Sequence, residues 1–521
     1  MRFVGRNSTQ WFCLSLVLAA CAPKGLVAEE SSPVPSVSAK EADTEAIAAA
    51  RRVWSILAAV EQSHVSAPTR SELARAIAVT LCWPDEFESS DAVGDEYGRC
   101  RDADEFVALF ARRWREERRP TGPIKQLAET VVKTLDDGGK WGHFRLWTKK
   151  EYAVQEQFRG NRYVGLGVAL GNTLSNGEGY ASFPNIIPGG PAHRFGIEAG
   201  AVIIEVDGHS TKGASPAAII DWIRGPVGTD VTLKIADKDG FSERVVTLQR
   251  GFVRFDSVFG FERSGFNSKP LDSDSIRFHD DREIGYLHLR DITGSTLQEL
   301  RDAEVKLRKA QVRAVVLDFR FGSRTDTFHQ ARLVADGLLD GGTLWHWQER
   351  DAEPRPETAD RECLFRGLPL VVVIDKNTSG PQAAIAAALQ DAGRAVIVGT
   401  SPNYDGLVAT GVELSDEVHV LEMGTAKIIR SRADHQWPLK PDFETPVLET
   451  KPTGPLDNSA ITEAKPGTVI TDLAELAKLL RQKRPRPRVP INQDPVVLAH
   501  KVIREILDRS SGELKETTNR D

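Results

Sequence analysis

The stretch NTSGPQAAIAAALQD, Asn377 to Asp391, follows directly on LPLVVVID. A short apolar run of that kind makes a buried strand. A strand that passes through a Ser/Gly turn into an Ala-rich helix can mount a nucleophile, and Ser379 stands at that turn. A serine hydroxyl attacks a carbonyl only with a base beside it and donors for the oxyanion. The nearest basic residue in sequence is Lys376, where the strand ends and a lysine is expected to be solvated. Lys427, in GTAKIIR, lies on a later strand that the sequence does not place. The competing reading is structural. Ser or Gly at the cap with Pro381 at the first helical position is a standard helix start, and it is the preferred reading of Ser379. No CxxC, HExxH or clustered His/Asp pattern suggests a metal site, the 11 His residues are scattered, and no cofactor is expected.

The elements that would hold such a turn change character along the chain. Residues 45–158 are expected as a helical domain, because EAIAAARRVWSILAAVEQ, TRSELARAIAVTLC, ADEFVALFARRWREE and IKQLAETVVKTLDD place apolar residues three and four apart. From NRYVGLGVALG the texture becomes short β-rich runs broken by Gly, with one helix, SPAAIIDWIRG. Strands and helices then alternate from EIGYLHLRDI to RAVIVG, the mark of an α/β layered domain. Two late helices, ITDLAELAKLL and DPVVLAHKVIREIL, are separated by the basic Pro-rich stretch RQKRPRPRVP. The expected fold class is multidomain α+β.

The 521 residues suffice for three or more domains. The net charge of −7 argues against nucleic acid or an anionic membrane surface as a general partner. Arg2 and Arg6 precede the apolar stretch Trp11 to Ala20, which is too short for a stable membrane anchor and reads as an export signal over 1–22. Its end, LAAC, resembles a bacterial lipoprotein cleavage box with Cys21 as the lipidated residue. ACA at Ala20 to Ala22 equally suits ordinary signal peptidase, so lipidated and soluble forms both stay open. Residues 23–44 are Ser/Pro/Glu-rich and read as a disordered tether. Cys82 and Cys100 could pair in an oxidising compartment, leaving Cys363 as a small buried hydrophobe.

Taken in order, these pieces resemble the carboxyl-terminal processing, or tail-specific, protease family over about 135–445. LDDGGKWGHFRLWTKKEY is similar to the segment that precedes the family's PDZ domain. YVGLGVAL, PGGPAHRFGIEAGAVIIEVDGHST and IRGPVGTDVTL resemble the PDZ domain itself, with Ala201 where family members carry an Asp. IGYLHLRDI, LQELRDAEVKL, VVLDFR, VVVID, AALQDAGRAVIVG and PLKPDF resemble the α/β protease core. The resemblance implies a PDZ domain over 159–252, a protease-like core over 253–450, and a linker with C-terminal helices over 451–521.

The family is described as using a serine nucleophile, a lysine base, a glutamine that orients the lysine, and a Gly-Gly pair at the oxyanion hole. Because AALQDAGRAVIVG aligns without a gap, the nucleophile position falls on Gly380, the lysine position on Asp405 and the glutamine position on Ala409. Arg324 and Thr325 stand where the glycine pair belongs, and Ala383 replaces an acidic residue at the helix start. An exposed Asp is no substitute for a desolvated lysine base at neutral pH. Ser379 is one residue off, which turns a helical side chain by roughly 100°.

In the PDZ segment, Gly165, Leu166, Gly167 and Val168 are expected to form a backbone nest for a peptide carboxylate. Ile219, Ile220 or Ile223 would supply a pocket wall. The expectation is an exported, periplasmic or envelope-associated scaffold of bacterial type that binds protein or peptide C-termini and does not cleave them. Oligomerisation stays open, and no nucleic acid is expected. Two alternatives remain: a divergent serine endopeptidase using Ser379 with another base, and an envelope assembly protein with a vestigial PDZ groove.

Overall fold

The computed structural model describes residues 39–518, apart from 82–89, 117–123, 138–139, 162, 171–178, 188, 238–241, 261–275, 279–280, 321, 323–326, 361–362 and 446–494. The export signal with Cys21, most of the tether, Cys82, the Arg324–Thr325 pair and the ITDLAELAKLL helix lie outside the described residues.

The strands Ile284–Leu289, Ala314–Asp318, Leu370–Ile374 and Ala395–Gly399 bury every residue they contain. They pair in parallel, in that order, within a six-stranded sheet. Val258–Phe259 adds an antiparallel edge and Phe443–Glu444 a parallel one. A strand can be apolar at every position only when both faces of its sheet are covered. On one face Leu287, Leu289, Val315, Leu317, Val372 and Ile397 pack with the helices Thr296–Lys309, Phe328–Leu338 and Gly380–Asp391. On the other, Tyr286, Val316, Val373 and Val398 meet Val496, Ala499, Val502, Ile503 and Leu507 of the helix Pro495–Thr518. The C-terminal helix therefore completes the core. His500 and Arg504 pin it further, bonding Asp281 at 3.0 Å and Glu283 at 2.5 Å. The multidomain α+β architecture is the one expected from the sequence.

A second, antiparallel sheet was not legible in the sequence. The twelve-residue strand His419–Arg430 lies at its centre, flanked by Arg145–Thr148, Leu407–Glu413 and Gly342–Glu349, with Arg355–Ala359 outermost. Leu421 and Met423 of this strand are buried with the N-terminal helices, whereas Ala426 and Ile428 belong to the main core. Two expectations need correction here. The N-terminal region is not purely helical, because Arg145–Thr148 is committed to this sheet. The first helix also begins at Ala39, inside the stretch read as tether, where KEADTEA continues the helical pattern of the residues that follow. The junction holds a buried ion pair between Arg159 and Glu422, whose other oxygen accepts from Trp147 Nε1 at 2.8 Å. Burial alone would lower the Arg159 pKa, but Glu422 and Glu156 hold it above the usual range.

The PDZ segment forms its own core of Leu166, Phe183, Ile186, Ile203, Val206, Ile219, Ile223 and Leu233. The chain enters and leaves it through one clamp. Asn161 bonds both the N–H and the carbonyl of Phe255, at 2.8 and 2.9 Å, and donates to Ser295 Oγ at 2.5 Å. The Glu299 carboxylate accepts from the N–H groups of Ser257 and Val258 at 2.7 and 2.9 Å. Burial, and then the neighbouring Glu299 charge, push Asp256 beside this clamp up from the usual carboxylate range.

Candidate functional site

Ser379 caps the Gly380–Asp391 helix from an extended backbone, with Pro381 in the first turn. Its N–H and its hydroxyl both donate to Gln382 Oε1, at 3.1 and 2.8 Å. Gln382 is fully buried, and its amide nitrogen donates to Leu289 O at 2.5 Å. Ser379 is 8% exposed, and its hydroxyl hydrogen is directed along the chain into its own helix. The spacing Ser-x-x-Gln is the capping-box signature. That signal was present in SGPQ and identifies Gln382, which sequence reasoning passed over. Gly322 packs on the other side of Gln382, where any Cβ would collide with Oε1.

Gly380 leaves no room for a side chain. A Cβ built there would lie 2.9 Å from Tyr404 Cε2 and 3.1 Å from Phe328 Cζ. The Tyr404 ring stacks on Phe328 with centroids 5.9 Å apart and meets Trp437 edge-on at 4.8 Å. The Tyr404 and Phe328 rings thus fill the space in front of the helix start, with Trp437 packed against Tyr404. None carried a sequence signal, because their convergence depends on the path of two loops.

The other described positions of interest lie on loops, on strands and within the helix. Asp405 is exposed, and its Oδ1 accepts from the Leu407 N–H at 3.0 Å, a local turn that starts the next strand. Ala409 lies within that strand, opposite Gly424 and next to a bulge, with its side chain buried. Lys376 is exposed beyond the Leu370–Ile374 strand, and Lys427 is exposed on the antiparallel sheet opposite Leu407. Ala383 is wholly buried.

One buried charge cluster lies on the adjacent strand and a second at the far end of the helix. Asp318 at the end of its strand accepts from Arg320 Nε at 2.9 Å and from Tyr286 Oη at 2.6 Å. At the far end of the helix, Asp391 pairs with Arg430, accepts from Ser431 Oγ at 3.2 Å, and lies 2.5 Å from His435 Nδ1. Arg430 also donates to Gln390 Oε1 at 2.8 Å. Ion pairs buried this deeply hold geometry in place, and removing one partner strands the other charge. Among the described residues no group of acidic, His or Cys side chains could hold a metal ion.

The segment Gly165–Val168 has a different construction: Gly165 ends the strand Tyr163–Gly165, paired with Gly251, Val168 begins the next strand, and only Leu166 and Gly167 lie between them. Leu166 O accepts from the Ala192 N–H and Gly167 O from the Ile187 N–H, each at 2.8 Å. In a planar trans peptide the N–H points opposite to the carbonyl. The N–H groups of Gly167 and Val168 therefore face away from the Pro191–Arg194 helix and from Ile187. Gly167 takes a left-handed φ of +74° and approaches Gly190 so closely that a Cβ would be 3.1 Å from its Cα. The short strand Val168–Ala169 pairs with Asn185–Ile186, and among the described residues its other edge has no strand partner. Of the three isoleucines, Ile219 and Ile223 are spent on the domain core, and Ile220 is half-buried.

Residues 283–445 match the family model described as peptidase family S41, and residues 183–237 match the model described as PDZ domain. The chain is 29% identical over 230 residues to the C-terminal processing peptidase, chloroplastic, of Tetradesmus obliquus, covering 44% of this chain and 48% of that protein. It is 28% identical over 324 residues to carboxyl-terminal-processing peptidase 2, chloroplastic, of Arabidopsis thaliana, covering 58% of each. Among solved structures, a photosystem II D1 C-terminal processing protease aligns at 22% identity over 80% of this chain and 98% of that one, with a TM-score of 0.34. The chain spans about half the length of the curated relatives it matches. No helix among the described residues is long and apolar enough to cross a membrane.

Proposed function

We propose that this chain, which joins a PDZ domain to a peptidase family S41 domain, binds the C-termini of peptides or proteins as a scaffold or adaptor and does not cleave them. The observation that carries the reading is Gly380. The position aligned with the nucleophile has no side chain, and the Tyr404 and Phe328 rings occupy the volume one would need. Asp405 and Ala409 supply neither a base nor its orienting group. The neighbouring Ser379 hydroxyl is engaged with Gln382. The out-turned N–H groups of Gly167 and Val168 and the open edge of Val168–Ala169 support the binding half of the reading. The basic, apolar and small-residue pattern from Arg2 to Cys21 supports export to the periplasm or envelope, with or without a lipid anchor.

The test is to incubate the full chain with unfolded casein and with a fluorescent fluorophosphonate, beside Ser379→Ala. Neither cleavage nor labelling is expected from either protein. Cleavage or labelling that is lost in Ser379→Ala would establish a divergent serine endopeptidase instead.

A further inference from the structure

We infer that the PDZ domain is locked in one orientation on the two-sheet body of the protein, through a two-stranded neck whose foot is held by the Glu299 carboxylate. The strands on which the chain enters and leaves the domain, Tyr163–Gly165 and Gly251–Val253, pair with each other in antiparallel register. Below them the Asn161 side chain acts as a further rung, donating to Phe255 O at 2.9 Å and accepting from its N–H at 2.8 Å. Both ends of this neck are anchored at once. On the entry side the helix Lys149–Arg159 ends just before Asn161, and its Arg159 is the buried partner of Glu422 in the antiparallel sheet. On the exit side Val258 already pairs with Leu289 of the parallel sheet, and the Arg290 N–H donates to Ser257 O at 3.0 Å. A domain swings only where a few residues are free to change φ and ψ. Here the backbone groups that would have to turn are bonded.

The foot of the neck stands on the start of the Thr296–Lys309 helix. Glu299 Oε2 accepts from the N–H groups of Ser257 and Val258 at 2.7 and 2.9 Å, and from Ser257 Oγ at 3.0 Å. Its Oε1 accepts from Ser295 Oγ at 2.5 Å, and that hydroxyl oxygen accepts from Asn161 Nδ2 at 2.5 Å. One carboxylate therefore holds the exit strand directly and the entry strand through a hydroxyl relay. Bonds to an ionised acceptor are the stronger ones. Gly294 lets the entry segment lie close on the same turn, because a Cβ there would be 2.7 Å from Gly160 O. The weak point is Asp256, between the clamped residues Phe255 and Ser257. Burial first, and then the Glu299 charge, push its carboxyl up from the usual range, against Arg290, Arg254 and Lys306. Two like charges thus oppose each other inside the lock.

The experiment attaches spin labels to the full chain, through unnatural ketone side chains at the positions of Val245 and Val305, and reads their separation by pulsed electron spin resonance. Val245 on the domain and Val305 on the body are 65% and 69% exposed. Hydrogen exchange of the Ser257 and Val258 amides is followed beside it, with circular dichroism to check folding. Wild type is expected to give one narrow distance distribution. Glu299→Ala is expected to add a second, broad population and to speed exchange of those amides about tenfold, the size of one lost bond to a charged acceptor. Glu299→Gln, which keeps an acceptor without the charge, should fall between, and Asp256→Asn should slow exchange below wild type. Nonapeptides ending in Ala, Val, Leu or Phe, with free or amidated C-termini, are titrated by fluorescence anisotropy. The free-acid preference of wild type should persist in every variant, because Leu166 to Val168 lie beyond the neck. A broad distribution in wild type would overturn the lock. So would a narrow distribution with unchanged exchange in folded Glu299→Ala, faster exchange in Asp256→Asn, or a free-acid preference lost in Glu299→Ala.

Discussion

The corner at Gly380 and the loop at Gly165 both set a glycine against an aromatic ring, with opposite consequences. At Gly380 the missing side chain lets Tyr404 and Phe328 close on the backbone, and the nearby donors of Ser379 are both used on Gln382. At Gly165 the Tyr163 ring also covers the glycine, but in the residues that follow it is the carbonyls that are used internally. Their N–H groups are turned outward as a result. A glycine beside a ring thus says little by itself. What separates a filled corner from a loop with out-turned N–H groups is which half of each neighbouring peptide the fold has already engaged.

Substitutions can break this comparison, and the largest expected effect lies at the far end of the helix that starts in the filled corner. Asp391→Ala strands the buried Arg430 charge and should cost about 3–5 kcal/mol, measured by urea unfolding. The free-acid preference at the PDZ loop should survive in the fraction that stays folded. Tyr404→Ala empties the space in front of Gly380. A loss of about 2–3 kcal/mol is expected, with no fluorophosphonate labelling. Labelling gained by this variant alone would mean that the ring masks a working nucleophile. Gly380→Ser forces a side chain against Tyr404 and should destabilise by about 1–3 kcal/mol through overpacking. Casein hydrolysis would show whether position 380 lacks only its hydroxyl, and none is expected. Ser379→Ala removes a helix cap and should lower stability by about 1 kcal/mol.

The pH dependence of stability offers a perturbation remote from both regions. His64 donates from Nε2 to Trp141 O at 2.8 Å and accepts at Nδ1 from the Ser66 N–H at 3.1 Å, so its neutral form is fully bonded. Burial first, and Arg350 as well, lower its pKa from the usual 6.5. The unfolded chain then binds the proton more readily than the folded one. This stabilising contribution is complete above pH about 6.5 and is lost as pH falls through the depressed folded value. Unfolding midpoints measured across that window should fall with acid in wild type and fall less in His64→Asn, with the two sites behaving alike in both proteins.

Much of the parallel sheet was legible in the sequence because its strands are largely apolar and its helices periodic. The capping role of Ser379 was legible too, from Ser-Gly-Pro at a strand-to-helix turn, although the reciprocal partner Gln382 was overlooked. The antiparallel sheet was not legible. Gly342–Glu349 and His419–Arg430 mix Trp, His, Glu and Lys on faces that meet different neighbours, so neither shows a clean alternation. Arg145–Thr148 is only four residues long and is a strand because His419–Arg430 pairs with it.

The sequence by itself determined the local grammar of this protein: which runs must be buried strands, where the helices start, and that positions 380, 405 and 409 carry Gly, Asp and Ala. Only the tertiary structure decided that the Tyr404 and Phe328 rings fill the space above Gly380 and that Ile219 and Ile223 are consumed by a core. The physical reason is range. Capping, turn formation and periodic burial act over a few neighbouring residues, whereas the occupancy of a cavity depends on where distant segments are packed.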